Sequence, residues 1–188
     1  MACIDLKQIV ADAARERFED FDVQKIEYQE PFEHLLISGD KQAGKTDLAI
    51  RILDLIPDQD IAISEHASII PCAPNRTFYP IDRDGDRRRI RDDMRRTFSG
   101  GHDIVFVSDI AWWNVHYVLE AMDGDNGPMV IACVHSYRAD HVRMTFAERQ
   151  IKHYNPQLAN PDAFLVNIVA MPDGTRRIDY ADAYGFIN

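Results

Sequence analysis

A chain of 188 residues can build one substantial core without staples. Its 46% hydrophobic and 28% charged residues are ordinary for a globular protein, and a net charge of −10 argues against a surface built to grip nucleic acid. Three widely spaced cysteines, Cys3, Cys72 and Cys133, form no C-x-x-C pair and predict reduced thiols in a cytoplasmic setting, while no apolar run is long enough for direct membrane insertion.

Residues 1–31 are expected to form an N-terminal helix and lead-in, and residues 32–188 one globular domain. Ile4 to Phe21 carries apolar residues at amphipathic helical spacing. Val23, Ile26 and Tyr28 belong to a short extended stretch that ends at Pro31. The N-terminus lacks the basic-then-apolar pattern of a leader, so any membrane association would run through a partner.

His34 to Ser38 reads as a short buried strand. It runs into Gly39-Asp40-Lys41-Gln42-Ala43-Gly44-Lys45-Thr46, a complete G-x-x-x-x-G-K-[ST] phosphate-binding loop. Asp47 to Ile56 follows with helical spacing and stops at Pro57. Strand, glycine loop and helix is the context the motif needs. The glycines let backbone N–H groups curl inward at phosphate oxygens, and the helix start adds unsatisfied N–H groups and the positive end of its dipole. Lys45 is expected to reach the β- and γ-phosphates of ATP, and Thr46 to ligate Mg²⁺.

Ile61 to Ser64 reads as a second strand, and 71–86 as mostly loop. Arg87 to Phe98 reads as a helix ending at Ser99-Gly100-Gly101. Ile104 to Val107 is the strongest strand: continuous, apolar and β-branched. Ala111 to Met122 is expected as a helix, 123–128 as a turn, Met129 to Val134 as a buried strand and Ala139 to His153 as a helix. Phe164 to Met171 reads as a strand. Asp173-Gly174 is a turn signal, and Arg176 to Tyr180 is its partner in a C-terminal β-hairpin. Strands alternating with helices predict an α/β fold with a mostly parallel central sheet. Ligands of such sheets bind at the C-terminal ends of the strands.

Three strand ends carry candidate chemistry. Ile104–Val107 ends at Ser108-Asp109, which would place a carboxylate beside Mg²⁺; with the phosphate loop upstream this reading ranks above a surface or helix-capping Asp109. Met129–Val134 ends at His135-Ser136, where His135 could donate to the γ-phosphate or serve a structural role. Ile61–Ser64 ends at Glu65-His66. Glu65 could orient or deprotonate the attacking water, although spacing alone makes it an exposed acid.

Four blocks occur in order: GDKQAGKT, ISEH, RRTFSGGHDIVFVSDI and VLEAMDGDNGPMVIACVHS. Together, over about residues 32 to 145, they resemble the secretion-superfamily ATPases, the hexameric motors of type II and type IV secretion, conjugation and pilus extension or retraction. The resemblance implies a P-loop NTPase fold with a RecA-like sheet flanked by helices. It puts Glu65 at the catalytic glutamate, Arg95 or Arg96 in an arginine helix and Asp103 at a turn aspartate. Asp109 falls at the glutamate of a Gly-Glu pair and His135 at a terminal histidine. It implies Lys45, Glu65, Asp109 and His135 as catalytic residues, and Mg-ATP held by Gly39 to Asp47 with Thr46 and Asp109 on the metal. It further implies a homo-oligomeric ring, six subunits in this family, and secretion, conjugation or pilus machinery as partners.

The sequence departs from that pattern in places. Ser108-Asp109 replaces Gly-Glu, Asn126-Gly127 stands for Thr-Gly-His, and Asp47 follows Thr46 where a small hydroxyl or apolar residue is usual. Residues 1–31 are short for the family's N-terminal domain. These departures favour nucleotide binding over fast turnover. They keep two alternatives open: a nucleotide-binding regulatory subunit, and a small-molecule P-loop kinase with 87–96 as a lid.

Residues 82–96 hold seven arginines and five aspartates. They read as a self-paired solvated helix face, as an arginine donor to a neighbouring subunit, or as a nucleic-acid groove, in that order, because the aspartates would repel phosphates. Of Trp112 and Trp113, one is expected in the core and one at an interface. The histidines show no zinc spacing.

Overall fold

The computed structural model describes residues 5–15, 33–65, 69–82, 86–111, 113–122, 127–136, 141–142 and 163–184. In chain order the elements are α1 (Leu6–Ala14), β1 (His34–Gly39), α2 (Lys45–Asp54), β2 (Ile61–Glu65), β3 (Arg76–Pro80), α3 (Arg87–Phe98), β4 (Ile104–Ile110), α4 (Val115–Met122), β5 (Met129–His135), β6 (Ala163–Ala170) and β7 (Arg176–Tyr184). The strands form one seven-stranded sheet in the order β3-β2-β4-β5-β1-β6-β7. Every pairing is parallel except β6 with β7.

The inner strands are buried on both faces, which is why they read as continuous apolar runs. Side chains alternate between the faces. Leu35, Ile37, Ile63, Phe106, Ile131, Cys133 and Val166 point to one side and pack with Leu6 and Val10 of α1 and Leu48 and Ile52 of α2. Leu36, Ala62, Val105, Val107, Ala132 and Leu165 point to the other and meet α3 and α4 through Met94, Val118 and Leu119. Phe106 has no exposed surface; truncating such a side chain to Ala costs about 3–5 kcal/mol.

Local chemistry sets the helix starts. The Asp5 carboxylate accepts from the Gln8 N–H at 3.1 Å and begins α1. Asp86 accepts from the N–H groups of Arg88 and Arg89 at 2.8 and 2.9 Å and begins α3. That helix is almost entirely polar, yet Ile90, Met94 and Thr97 form a buried stripe at helical spacing. At the base of β1, buried His34 accepts from the Val130 N–H at Nδ1 (3.1 Å), so Nε2 carries the proton and donates to the Met122 carbonyl (3.0 Å).

The α/β architecture, the parallel sheet and the C-terminal hairpin are as expected. Four details differ. β3 occupies part of the 71–86 segment expected as loop; Thr77-Phe78-Tyr79 is β-prone, and Pro80 is tolerated because β3 is an edge strand. β4 continues past Val107 to Ile110. α4 starts at Val115 rather than Ala111, because the Asn114 side chain folds back to accept from the Ala111 N–H at 2.7 Å and closes a turn there. β7 runs on to Tyr184. Most of the expected 139–153 helix, the end of the Ile4–Phe21 helix, the Val23–Tyr28 lead-in and residues 123–126 lie outside the described residues.

Candidate functional site

The phosphate loop joins the C-terminal end of β1, beside the centre of the sheet, to the N-terminus of α2. Gly39 sits so close to β6 that an added Cβ would stand 2.6 Å from the Ile168 carbonyl oxygen. Ala43 is fully buried and donates to the Asp40 carbonyl at 3.1 Å, which closes the loop on itself. Gln42, at φ 70°, is the one non-glycine residue with positive φ among the described residues. Gly44 takes φ +99° at the N-cap of α2 and contributes no side-chain cap. The first N–H groups of α2 therefore lack a side-chain acceptor there, and with the helix dipole behind them they suit an anion.

Lys45 and Thr46 open α2, both partly buried. The Lys45 ammonium donates to the Gly39 and Asp40 carbonyls at 2.9 and 2.7 Å. Burial lowers its pKa, while Cys133, Asp109 and Asp40 oppose that shift. The ammonium rests on the loop that it would leave to meet a phosphate.

Strand order determines which groups surround the loop. β5 lies between β1 and β4, and in the β1–β5 register His135 pairs with Gly39. Its ring is 47% exposed, and Nε2 stands 3.8 Å from Asp40 Oδ1. Beyond β5, β4 is irregular. Val107 pairs with Ala132 and Ile110 with Val134, so Ser108 and Asp109 together oppose Cys133 alone. This is a bulge, a device that re-aims a side chain. Fully buried Asn114 holds it, donating to the Asp109 carbonyl at 2.8 Å while accepting from Ala111. Asp109 acts electrostatically on both Lys45 and Cys133.

Glu65 ends β2, on the far side of β4. Spacing made it an exposed acid; it is 4% exposed. Its two oxygens accept from the Ile69 and Ile70 N–H groups at 2.9 and 3.1 Å, so the carboxylate ties down the chain as it leaves β2. The buried Cys133 thiol lies within the fields of Lys45, Asp109 and Glu65. Burial pushes its pKa up to about 12, partly countered by Lys45.

The structure thus gathers Lys45, Asp109, His135 and the Gly39–Asp47 loop at one sheet edge, with Glu65 at its flank. It does not bring the arginine helix there in the same way. Arg95 lines a cavity of 440 Å³ with Phe98, Tyr117 and Glu120, between α3 and α4. Arg96 pairs with Asp93, Arg91 with Asp92 and Arg89 with Asp82, the self-paired face expected first. Asp103 accepts from the Asp60 N–H at 3.0 Å and joins the starts of β2 and β4. Trp113 packs against the core; Trp112 lies outside the described residues.

Sequence reasoning missed two residues. Asn114 gave no signal beyond its place after a strand. Arg176 was read only as part of a hairpin strand, yet its Nη1 donates to Asp47 Oδ2 at 3.2 Å, beside the loop. Topology held that signal: a strand parallel to β1 must deliver its hairpin turn to the loop's edge of the sheet.

A glycine loop between a strand beside the centre of a mostly parallel sheet and an uncapped helix is a phosphate-loop arrangement on an α/β fold. Among solved structures, the chain is similar to the VirB11 ATPase of the Brucella suis type IV secretion system in complex with sulphate. The identity is 12% and the TM-score 0.64, over 92% of this chain and 51% of that one. It is also similar to the pilus retraction motor PilT with bound ADP, at 14% identity and TM-score 0.56, over 82% of this chain and 47% of that one. The chain therefore has the fold of secretion and pilus motor ATPases, and spans about half the length of these two. No protein-family model and no curated protein matches it.

Among the described residues, no helix is long and apolar enough to cross a membrane. Nor do three or more His, Cys, Asp or Glu side chains there converge to hold a metal ion alone. Mg²⁺ in nucleotide sites needs no such cage, because waters and substrate phosphates supply most of its ligands. The hydroxyl of Thr46 and the carboxylate of Asp109 are hard oxygen donors of the kind it takes.

Proposed function

We propose that this chain is an ATPase that binds Mg-ATP in the 39–46 loop and hydrolyses it within a homo-oligomeric ring. One observation carries the reading: an uncapped, left-handed Gly44 at the start of α2, with the Lys45 ammonium resting on the carbonyls of the same loop. An anion at the helix start would receive both the N–H groups and the ammonium. Lys45 binds and orients the terminal phosphates. Thr46 and Asp109 hold Mg²⁺, which supplies charge neutralisation on the phosphate oxygens. His135, opposite Gly39, donates to the terminal phosphate and can report its loss. The motor fold suggests that turnover drives movement in a secretion, conjugation or pilus machine, from a cytoplasmic position with peripheral membrane contact through partners.

Mg²⁺-dependent phosphate release, followed over a range of protein concentrations, tests this. We expect specific activity to rise with concentration and to vanish in Lys45→Ala. Nucleotide binding with no phosphate release in any assembly would sink the motor reading.

The state of Glu65 favours a second reading, a nucleotide-binding subunit with little turnover. A carboxylate that accepts from two backbone N–H groups is poorly placed to take a proton from water. Tight binding in the wild type, together with unchanged and negligible phosphate release in Glu65→Gln, would select this second reading.

A further inference from the structure

The β6–β7 hairpin brings a cation to the phosphate loop. β6 runs parallel to β1, so the turn 171–175 lies at the loop's edge of the sheet. That turn is tightly bonded: Asp173 Oδ1 accepts from the Thr175 N–H at 2.9 Å and from its hydroxyl at 2.7 Å, and Gly174 takes φ +85°. Arg176, opposite Ala170, is the first strand residue after it. Its guanidinium lies over Gly44, where an added Cβ would stand 2.8 Å from Nη1. The same nitrogen pairs with Asp47 at 3.2 Å, and the arginine side chain is 31% exposed.

Asp47 explains why a cation is useful there. It stands in the first turn of α2. The helix dipole favours a negative charge at that place, but a polyphosphate in the loop draws on the same field. A carboxylate beside an incoming anion repels it unless a cation intervenes. A guanidinium does so well, because its planar fork suits carboxylate and phosphate oxygens alike and it does not lose its charge.

We propose that Arg176 is an additional phosphate-binding residue of the nucleotide site, stored against Asp47 until a polyphosphate fills the loop. The more highly charged phosphate then takes the guanidinium from the carboxylate. This rests on the reading of residues 39–46 as a nucleotide loop. It also makes the hairpin responsive to nucleotide, since Arg176 is fixed to a strand rather than to a loose loop.

The test is titration of a fluorescent ATP analogue, with Mg²⁺, into wild type, Lys45→Ala, Arg176→Gln, Arg176→Lys and Asp47→Asn. Circular dichroism establishes that each variant is folded. Arg176→Gln is expected to weaken binding about tenfold, the scale of one charged hydrogen bond. Arg176→Lys should recover part of that loss, and Asp47→Asn should bind more tightly than wild type. Wild-type or tighter affinity in Arg176→Gln would overturn the proposal, leaving the arginine as a brace. If Arg176→Gln does not fold, Asp47→Asn decides: unchanged or weaker affinity overturns it. Binding that is lost in Lys45→Ala but intact in Arg176→Gln removes Arg176 alone. A wild type that binds no nucleotide removes the loop reading and Arg176 with it.

Discussion

The phosphate loop and the end of β2 are built on opposite plans. At the loop, backbone geometry makes the cradle, and the side chains that would act on a ligand stand on it or beside it. Lys45 rests on carbonyls, His135 is half exposed, and Asp109 rides on a bulge. At the end of β2, the side chain is the structure: Glu65 is buried with both oxygens bound to N–H groups of the following chain. A binding site can be read from its backbone alone. A catalytic group must be judged by whether its partners let it go.

The largest expected effect comes from removing the loop's charge. Lys45→Ala should weaken nucleotide binding about 100-fold, because hydrogen bonds from a charged donor contribute roughly 1.5–3 kcal/mol. Fold stability should change little, since the ammonium and its two bonds to loop carbonyls are only partly buried. Calorimetric titration with thermal melting checks both halves. Binding retained in the mutant would break the contrast, because the cradle would then work without its charge.

Next comes the backbone itself. Gly39→Ala would push a methyl to 2.6 Å from the Ile168 carbonyl oxygen. That neighbour is backbone in a paired strand and has little room to give. Overpacking of this kind costs about 1–3 kcal/mol, and β6 must shift, carrying the hairpin and Arg176 away from Gly44. Melting should show the loss of stability, and nucleotide titration a loss of affinity. A stable variant with normal affinity would mean that the β1–β6 contact yields more easily than its geometry suggests.

These two effects also mark what the sequence made legible. The loop motif, its strand and its helix were readable because glycine positions and apolar periods are local signals. The parallel sheet was readable from alternation of elements. The burial of Glu65 was not, because its partners are the N–H groups of Ile69 and Ile70, and backbone donors leave no trace in residue type. β3 was hidden by the Pro, Asp and Asn around it. The bulge at Ser108-Asp109 was hidden because register is a property of two strands, and Arg176 because its contact with Asp47 crosses 129 residues.

Glu65 offers a smaller and more diagnostic effect. In Glu65→Gln one oxygen becomes an NH₂ group facing an N–H donor, so one of the two backbone bonds is lost. A buried donor left without an acceptor costs about 1–3 kcal/mol. If Glu65 only ties down the loop, melting should show that loss while residual phosphate release stays unchanged. If assembly frees the carboxylate for catalysis, phosphate release should fall with concentration-dependent activity, and the difference between the two regions narrows.

The smallest effect lies at Cys133, where the two regions meet. Its thiol is pushed from 9.0 up to about 12 by burial, while Lys45 pulls it down and Asp109 and Glu65 add to the rise. Because the folded-state value is raised, the thiol's contribution to stability is fully present below about pH 9. It is lost as pH climbs to about 12, where the unfolded chain has already shed the proton. At pH 8 the thiolate needed for attack is scarce in the folded state, so a thiol reagent should reach Cys133 only when the sheet opens. In a Cys3→Ser background, exposed Cys72 should label rapidly and Cys133 slowly. Saturating nucleotide should slow Cys133 further by stabilising the folded state, with little change at Cys72. Equal protection of both thiols by nucleotide would place the stabilised unit beyond the loop strands, and labelling of Cys133 as fast as Cys72 would mean that β5 is not closed over in solution.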